Sequence, residues 1–289
     1  MTPNLKMKIP SLSNDTKWIL IWLAGISVLL VWDLVFLNKP ALVRVWLGFG
    51  NTLLVSAISL TTALLLSFTV SSWITLSRWN ERPKLARTGE LFLNIFRSVP
   101  QIIGLLTGFL ILTLLVTAEI MTGKTAILTG FGVTVGVVIF YEFSDMLLER
   151  VAWFEQTDFV SASRTAGVPD THLLFIEIWM RNSLPHLINK LISGFGATIF
   201  LLCSIDFVLS VGLSSSVSPI NFPPTLGSML AQIDSKQDIL SIGILFTDPF
   251  YFPSLFTRHL QGLSVAFLIV FTLACSFKIG NAFTRRHRL

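Results

Sequence analysis

Three acidic residues, Glu142, Asp145 and Glu149, interrupt an otherwise apolar part of the chain at steps of three and four residues. That spacing places their carboxylates on one face of a helix. Such carboxylates can pair with basic groups or bind a cationic cargo. Because Arg150 and Arg164 follow closely, we expect ion pairs with these arginines or with a partner subunit rather than cargo binding.

Two further acids stand inside long apolar runs. Asp206 is a candidate for binding a cationic group of a transported solute, since an ionisable residue at membrane depth is a functional candidate. The alternative is a carboxylate at the membrane interface that loop groups cap. Asp33 lies near the end of its apolar run, and we expect it to reach water.

Other chemistries find no support in the residue pattern. The four histidines, His172, His186, His259 and His287, have no ligand spacing, so no metal site is expected. Neither a Gly-x-x-x-x-Gly-Lys-Ser/Thr phosphate loop nor a His-Glu-x-x-His or Gly-x-Ser-x-Gly motif occurs, which disfavours an ATPase or an intramembrane enzyme. Inverted repeats typical of secondary transporters are not evident. We therefore expect no catalytic residue and no resident cofactor.

The composition indicates a polytopic, all-α membrane protein. Of 289 residues 53% are hydrophobic and 13% are charged, the mean hydropathy is +0.74, and the apolar residues form runs of membrane-spanning length. About six spans are predicted, near Trp18 to Leu37, Thr52 to Leu76, Val99 to Thr117, Ala126 to Phe143, Leu187 to Val208 and Ser254 to Phe277.

The basic residues predict the orientation of these spans. With the N-terminus inside, all of the 21 Lys and Arg residues fall in cytoplasmic segments except Lys39, Arg44, Lys124, Lys236 and Arg258. Cytoplasmic flanks retain Lys and Arg, so both termini are predicted to be cytoplasmic. The net charge of +5 is then a signal of topology, and no nucleic-acid partner is expected.

The connection between the fourth and fifth predicted spans is too long to lack structure of its own. Residues Asp158 to Ala166 can form a short helix that Gly167 ends in a left-handed conformation. Pro169 suits the first turn of a second helix, and Asp170 adds a carboxylate at the positive end of its dipole. We expect a helix–turn–helix platform beneath the membrane.

The string "FVSASRTAGVPDTHLLFIEIWMRNSLP" in this connection resembles the cytoplasmic coupling loop of ABC transporter permeases of the dipeptide, oligopeptide and nickel type. "FRSVPQIIGLLTGFLI" and "LSVGLSSSVSPINFPPTLGSMLAQ" are similar to two other segments of that family, so the resemblance covers roughly Asn51 to Gly280. Glu142, Asp145 and Glu149 stand where the family usually places arginines. The family's motifs in the first outer segment and at the C-terminus are missing or reduced.

The resemblance implies a type I importer-like permease subunit in a bacterial cytoplasmic (inner) membrane, carrying peptides or similar small solutes. An exporter, or a transporter of another solute on the same permease fold, is the alternative. Expected partners are two P-loop ATPase subunits that bind ATP and Mg²⁺, a second and different permease chain, and a periplasmic or lipid-anchored solute-binding protein.

Candidate residues and segments can now be given. The substrate-path candidates are Asp206, because of its membrane depth, and Pro100, which the resemblance places at the start of the third core span. The residues expected to couple to the ATPase are Ala162, Arg164, Ala166, Gly167, Val168, Pro169, Asp170, Leu173 and Leu174. Three regions are expected: 1–50, with a tail, the first span and an outer loop; 51–280, the permease domain with coupling loop 150–186 and outer loop 209–253; and a basic tail, 281–289.

Overall fold

The computed structural model describes residues 13–212, 222–231, 238, 240–258 and 260–287, and these residues are almost all helical. The α-helices are α1 (Asn14–Phe36), α2 (Lys39–Trp79), α3 (Pro83–Ser98), α4 (Gln101–Thr117), α5 (Lys124–Glu155), α6 (Asp158–Thr165), α7 (Asp170–His172), α8 (Leu184–Gly212), α9 (Leu226–Leu230), α10 (Phe252–Arg258) and α11 (Leu260–His287). A π-helix, Leu173–Asn182, follows α7, and two 3₁₀ turns, Ser241–Phe246 and Pro249–Tyr251, precede α10.

Within the described residues, five helices are long and apolar enough to cross a membrane: α1, α2, α5, α8 and α11. They confirm a multi-pass membrane protein. The third predicted span differs, because α3 and α4 meet at 93° and make a sixth span only if the bent pair is counted as one. The break falls at Val99, whose backbone is extended, as expected for a residue that precedes a proline, here Pro100.

The centre of the fold is the long contact between α2 and α5. Small residues make it close: a Cβ atom at Gly136 would lie 2.7 Å from the carbonyl oxygen of Ser59, and one at Gly132 would lie 2.6 Å from Cβ of Ile58. Backbones approach this closely in membrane proteins where such residues face each other. The backbones of α2 and α5 are therefore in close contact at these positions.

Helix α1 packs at the edge of the bundle, against α11. Gly25 lies under the ring of Phe271, and the Trp22 indole donates to the Thr272 hydroxyl at 3.1 Å. Near the N-terminal end of α1, Asp15 forms an ion pair of 3.1 Å with Arg286, near the C-terminal end of α11. These two helix ends therefore lie on the same side of the bundle.

The predicted region boundaries do not coincide with breaks in the chain's helices. Helix α2 runs unbroken through the boundary between residues 50 and 51, and α11 continues through the boundary between residues 280 and 281 to His287. Gly48 lies inside α2 and leaves room for the sulfur of Met229.

Candidate functional site

The turn between α6 and α7 has the predicted geometry at Gly167, whose φ is +82°. The amide of Gly167 donates to the carbonyl of Arg164 at 2.9 Å, and that of Val168 donates to Ser163 at 3.1 Å. These two bonds form the Schellman motif that ends helices on a left-handed glycine. Pro169, predicted in the first turn of the next helix, instead precedes it with extended backbone, so α7 starts at Asp170.

A charged bridge closes this turn. The Arg164 guanidinium donates from Nε to Oδ1 of Asp170 at 2.8 Å and from Nη2 to Oδ2 at 3.2 Å. Its central carbon also lies 4.7 Å from the centre of the Trp79 ring, at the end of α2. The Trp79 indole in turn donates to Glu155, the last residue of α5, at 2.5 Å. The turn is thereby fixed to the ends of both central helices.

The underside of the platform, residues 158–182, is an apolar core of its own. Four side chains of the π-helix, Leu173, Leu174, Ile178 and Trp179, are fully buried against α5 and α2. Predicted as ATPase-coupling residues, Leu173 and Leu174 are instead inside the protein, because their side chains pack on Leu147, Val151 and Phe154. Their role in the structure is to hold the platform in place.

The π-helix was not predicted, since the sequence favoured an ordinary second helix. Its i→i+5 hydrogen bonding brings residues five apart to the same face, and the buried side chains are spaced that way: Leu173 with Ile178, and Leu174 with Trp179. The Asn182 side-chain amide donates to the carbonyl of Glu177 at 2.7 Å near its end. The sequence feature that could have predicted the π-helix is this pair of apolar residues repeated five positions later.

The opposite side of the platform is exposed. We define the coupling surface as Ala162, Ala166, Gly167, Pro169 and His172, all of which are exposed. Val168 and Asp170, also predicted as coupling residues, are half-buried beside it, and Arg164 is exposed along the bridge to Asp170. The structure thus brings most of the predicted coupling residues onto one continuous turn.

Two of the three acids that were considered in α5, Glu142 and Asp145, pair with residues other than those expected. Glu142 accepts from the Gln101 amide and from the Lys190 ammonium, each at 2.7 Å. Asp145 forms an ion pair with Arg97. The predicted partners were wrong for these two acids, because the bend between α3 and α4 delivers Arg97 and Gln101, while α8 delivers Lys190. Arg164 pairs with Asp170, as above, and Arg150 donates to the Ser183 hydroxyl at 3.2 Å.

At the other end of the bundle, the segment Phe222 to Ala231 is bound among the spans. The Asn51 side-chain amide donates to the carbonyl of Pro224 at 2.7 Å, and the Leu226 amide donates to the Thr52 hydroxyl at 2.9 Å. The Phe222 ring lies 5.1 Å from that of Phe109 and 5.4 Å from that of Phe131, measured between ring centres. Residues 213–221 and 232 of the motif predicted for this outer loop lie outside the described residues.

Asp206 helps to attach the segment Phe222 to Ala231 to α8. Its Oδ2 accepts a hydrogen bond from the Thr225 hydroxyl, and a Cβ atom on Gly227 would lie 2.6 Å from the same oxygen. This is the capped arrangement named as the alternative to a cargo site. Pro100, the other substrate-path candidate, is exposed at the start of α4, whereas Asp206 lies near the far end of α8, so the structure does not bring the two together.

Asp33 is the residue whose surroundings differ most from the prediction. It was expected to reach water, but it is fully buried, and its Oδ1 accepts from the Ser264 hydroxyl of α11 at 2.6 Å. The Trp46 indole faces the Asp33 carboxylate, but neither its nitrogen nor Oδ2 of Asp33 has a hydrogen-bond partner in good geometry among the described groups. The correction arises because α11 covers this face of α1.

No protein-family model, curated protein or solved structure matches this chain. Among the described residues, no three His, Cys, Asp or Glu side chains are grouped as a metal site would require. The coupling surface is exposed on one side of the platform, and the platform's other side is buried against α5 and α2.

Proposed function

We propose that the chain is the membrane-spanning permease subunit of an ATP-driven ABC transporter that imports peptides or similar small solutes. The observation that carries the proposal is the platform of residues 158–182: an exposed helix–turn–helix whose underside is buried and whose turn the Arg164–Asp170 bridge closes. A surface of this kind suits a partner that must pull on it without deforming it.

The platform's attachments support its action as a lever. Its apolar side packs on α5 through Leu147 and Val151, and on α2 through Phe68 and Leu76. Because α2 and α5 also pack closely on each other, a displacement of the turn moves both helices as a unit. ATP-driven closure of partner subunits would bias such a packed, two-state element toward one of its arrangements.

The segment Phe222 to Ala231 is proposed as the gate at the opposite end. It is held by hydrogen bonds to Asn51, Thr52 and Asp206 and by the ring of Phe222, which contacts α4 and α5. These attachments are to α2, α4, α5 and α8. The platform contacts α2, α5 and α8, and α4 packs on α5. Movement of α2 and α5 would therefore loosen the gate as the platform moves.

The partners follow from the same proposal. Two ATPase subunits supply the bound ATP and Mg²⁺ and contact the coupling surface; a second, different permease chain completes the pathway; and a periplasmic or lipid-anchored binding protein delivers the cargo. The location is a bacterial inner membrane with both termini in the cytoplasm. The many basic residues in the segments on the platform's side favour this orientation.

The first test is to purify the chain from its native membrane in mild detergent and to identify the co-purifying proteins by mass spectrometry. Two P-loop ATPase chains and a second multi-span protein are expected. A cysteine introduced at the exposed His172 should cross-link to the ATPase, whereas one at the exposed Leu91 of α3 should not. Purification without any ATPase, or equal cross-linking from both positions, would overturn the proposal.

A further inference from the structure

The segment of residues 240–258, which leads into α11, exposes large apolar side chains outside the spans. Phe246 is 90% exposed, Phe250 is 93% exposed and Leu240 is 74% exposed. Ile242 and Ile244 of the first 3₁₀ turn are also exposed. Large apolar side chains that are exposed together in one short segment mark a surface that binds another apolar phase or partner.

Hydrogen bonds fix the level of this segment in the bundle. The Ser241 hydroxyl donates to the carbonyl of Asp238 at 2.5 Å, and the carboxylate of Asp238 accepts from the amide of Gly262, in the first turn of α11, at 2.9 Å. Leu255 of α10 is buried, and α10 packs on α11. The segment is therefore held at the N-terminal end of α11.

That end of α11 lies at a boundary of the hydrocarbon core. At ~1.5 Å per residue, the apolar stretch from Leu260 to Phe277 is about 27 Å long, close to the ~30 Å thickness of the core. Lys278 and the basic residues Arg285 and Arg286 follow at the other end. Leu260 is thereby placed at the opposite edge of the core, with the 240–258 segment beside it.

The segment's backbone excludes a deeper position. Two 3₁₀ turns separated by a break leave more backbone N–H and C=O groups without helical partners than a continuous helix does, and such groups are not tolerated in contact with lipid chains. The carboxylate of Asp248 accepts from the amide of Phe250 at 3.0 Å at that break. Only the interface offers water to this backbone and apolar surroundings to the phenyl rings.

We propose that residues 240–258 form a membrane-interface anchor, with Phe246 and Phe250 inserted at the boundary between the glycerol groups and the acyl chains of the phospholipids. The partner is the lipid surface at the N-terminal end of α11, and the anchor operates whatever the protein transports. It fixes the depth in the membrane of α11 and of α9, which packs on α11. The proposal is independent of the one concerning the ATPase.

The test uses the whole protein in proteoliposomes of phosphatidylethanolamine and phosphatidylglycerol. With Cys203 and Cys275 replaced by serine, a nitroxide spin label is attached to a cysteine at Phe246 or, separately, at Phe250. Power saturation then compares the label's exposure to oxygen, which partitions into lipid, with its exposure to a water-soluble nickel chelate. Reference labels are placed at the exposed Val31 of the α1 span and at the exposed Thr171 of the platform.

Oxygen-dominated exposure at Phe246 and Phe250, shallower than at Val31, is the expected result. Nickel-dominated exposure like that at Thr171 would show that the rings face water and would overturn the anchor. Protection from both reagents would show that another protein covers the segment, which overturns it equally. Labelled protein must elute as a single species like the unlabelled parent, and the result from either position suffices if the other variant does not fold.

Discussion

The guanidinium of Arg164 binds both carboxylate oxygens of Asp170 across the turn at Gly167, at 2.8 and 3.2 Å. The same guanidinium lies over the ring of Trp79 at the end of α2. One side chain therefore sets the shape of the turn and also its position on the bundle. A bidentate, stacked arginine has both abilities, and lysine lacks the planar fork they require.

Replacing Arg164 with glutamine is expected to reduce the stimulation of ATP hydrolysis by cargo several-fold while leaving the fold intact. The pair is partly exposed, so its loss should change the free energy of unfolding by only about 1 kcal/mol or less. The measurements are ATP hydrolysis by the purified complex with and without a mixture of tripeptides, and a thermal unfolding curve. Arg78→Gln is the control, because Arg78 makes a comparable exposed ion pair with Glu90 outside the platform. Equal losses in the two variants would contradict a special role for Arg164.

Gly167→Val is expected to abolish cargo-coupled ATP hydrolysis without preventing membrane insertion. No atom lies within 4 Å of a Cβ placed at Gly167, so the cost comes from its φ of +82°, which is strained for other residues by about 1–2 kcal/mol. Gly123 provides a matched control, with a φ of +96° and equally open surroundings before α5. Coupled hydrolysis should survive Gly123→Val. If it survives Gly167→Val as well, the turn does not need its left-handed residue for coupling.

The features that the sequence predicted well are those that depend on local pattern. Long apolar runs identified the five clear spans, and a glycine followed by a proline identified the turn at Gly167. Each of these patterns is formed by residues that belong to a single helix or a single turn. The bend at Val99 was also within reach, since a proline restricts the residue before it, but the apolar run on its C-terminal side favoured one straight span.

The features that the sequence did not predict depend on contacts between distant residues. The partner of Glu142, Lys190, lies 48 residues away on α8, and the Ser264 hydroxyl that meets Asp33 lies 231 residues away on α11. No local pattern encodes which helix covers which face. Burial of Leu173 and Leu174 likewise depends on how the platform is tilted against α5, and the sequence showed only that these residues are apolar.

Asp33→Asn is expected to leave the melting temperature unchanged or to raise it. The amide oxygen can still accept from Ser264, and the substitution removes any charge from a buried site where the second carboxylate oxygen has no hydrogen-bond partner in good geometry among the described groups. Ser264→Ala should lower the free energy of unfolding by about 1–3 kcal/mol, since it removes the hydroxyl donor of the buried Oδ1 of Asp33. Thermal unfolding of both variants in one detergent makes the comparison. Greater damage from Asp33→Asn than from Ser264→Ala would mean that the negative charge itself is required.

Gly227→Ala is expected to destabilise the segment that covers Asp206. The added methyl group would lie 2.6 Å from the Asp206 carboxylate and 2.7 Å from the backbone of Cys203, and overpacking of this kind costs about 1–3 kcal/mol. Gly243→Ala is the control, because no atom lies within 4 Å of a Cβ at that position. Limited proteolysis near residue 225 and thermal unfolding should separate the two variants. Identical behaviour would show that α9 does not pack on α8 as described.

Glu142 joins three helices, since it accepts from Gln101 of α4 and Lys190 of α8 while standing on α5. Its side chain is 32% exposed and that of Lys190 is 24% exposed, so breaking the pair leaves a charge that water reaches only in part. Glu142→Gln alone is expected to lower the free energy of unfolding by about 1–3 kcal/mol. Adding Lys190→Met should restore part of that loss, because the unpaired cation is then removed and its apolar stem is kept. A double-mutant cycle on thermal unfolding measures the interaction, and strictly additive losses would show that the two residues stabilise the bundle independently.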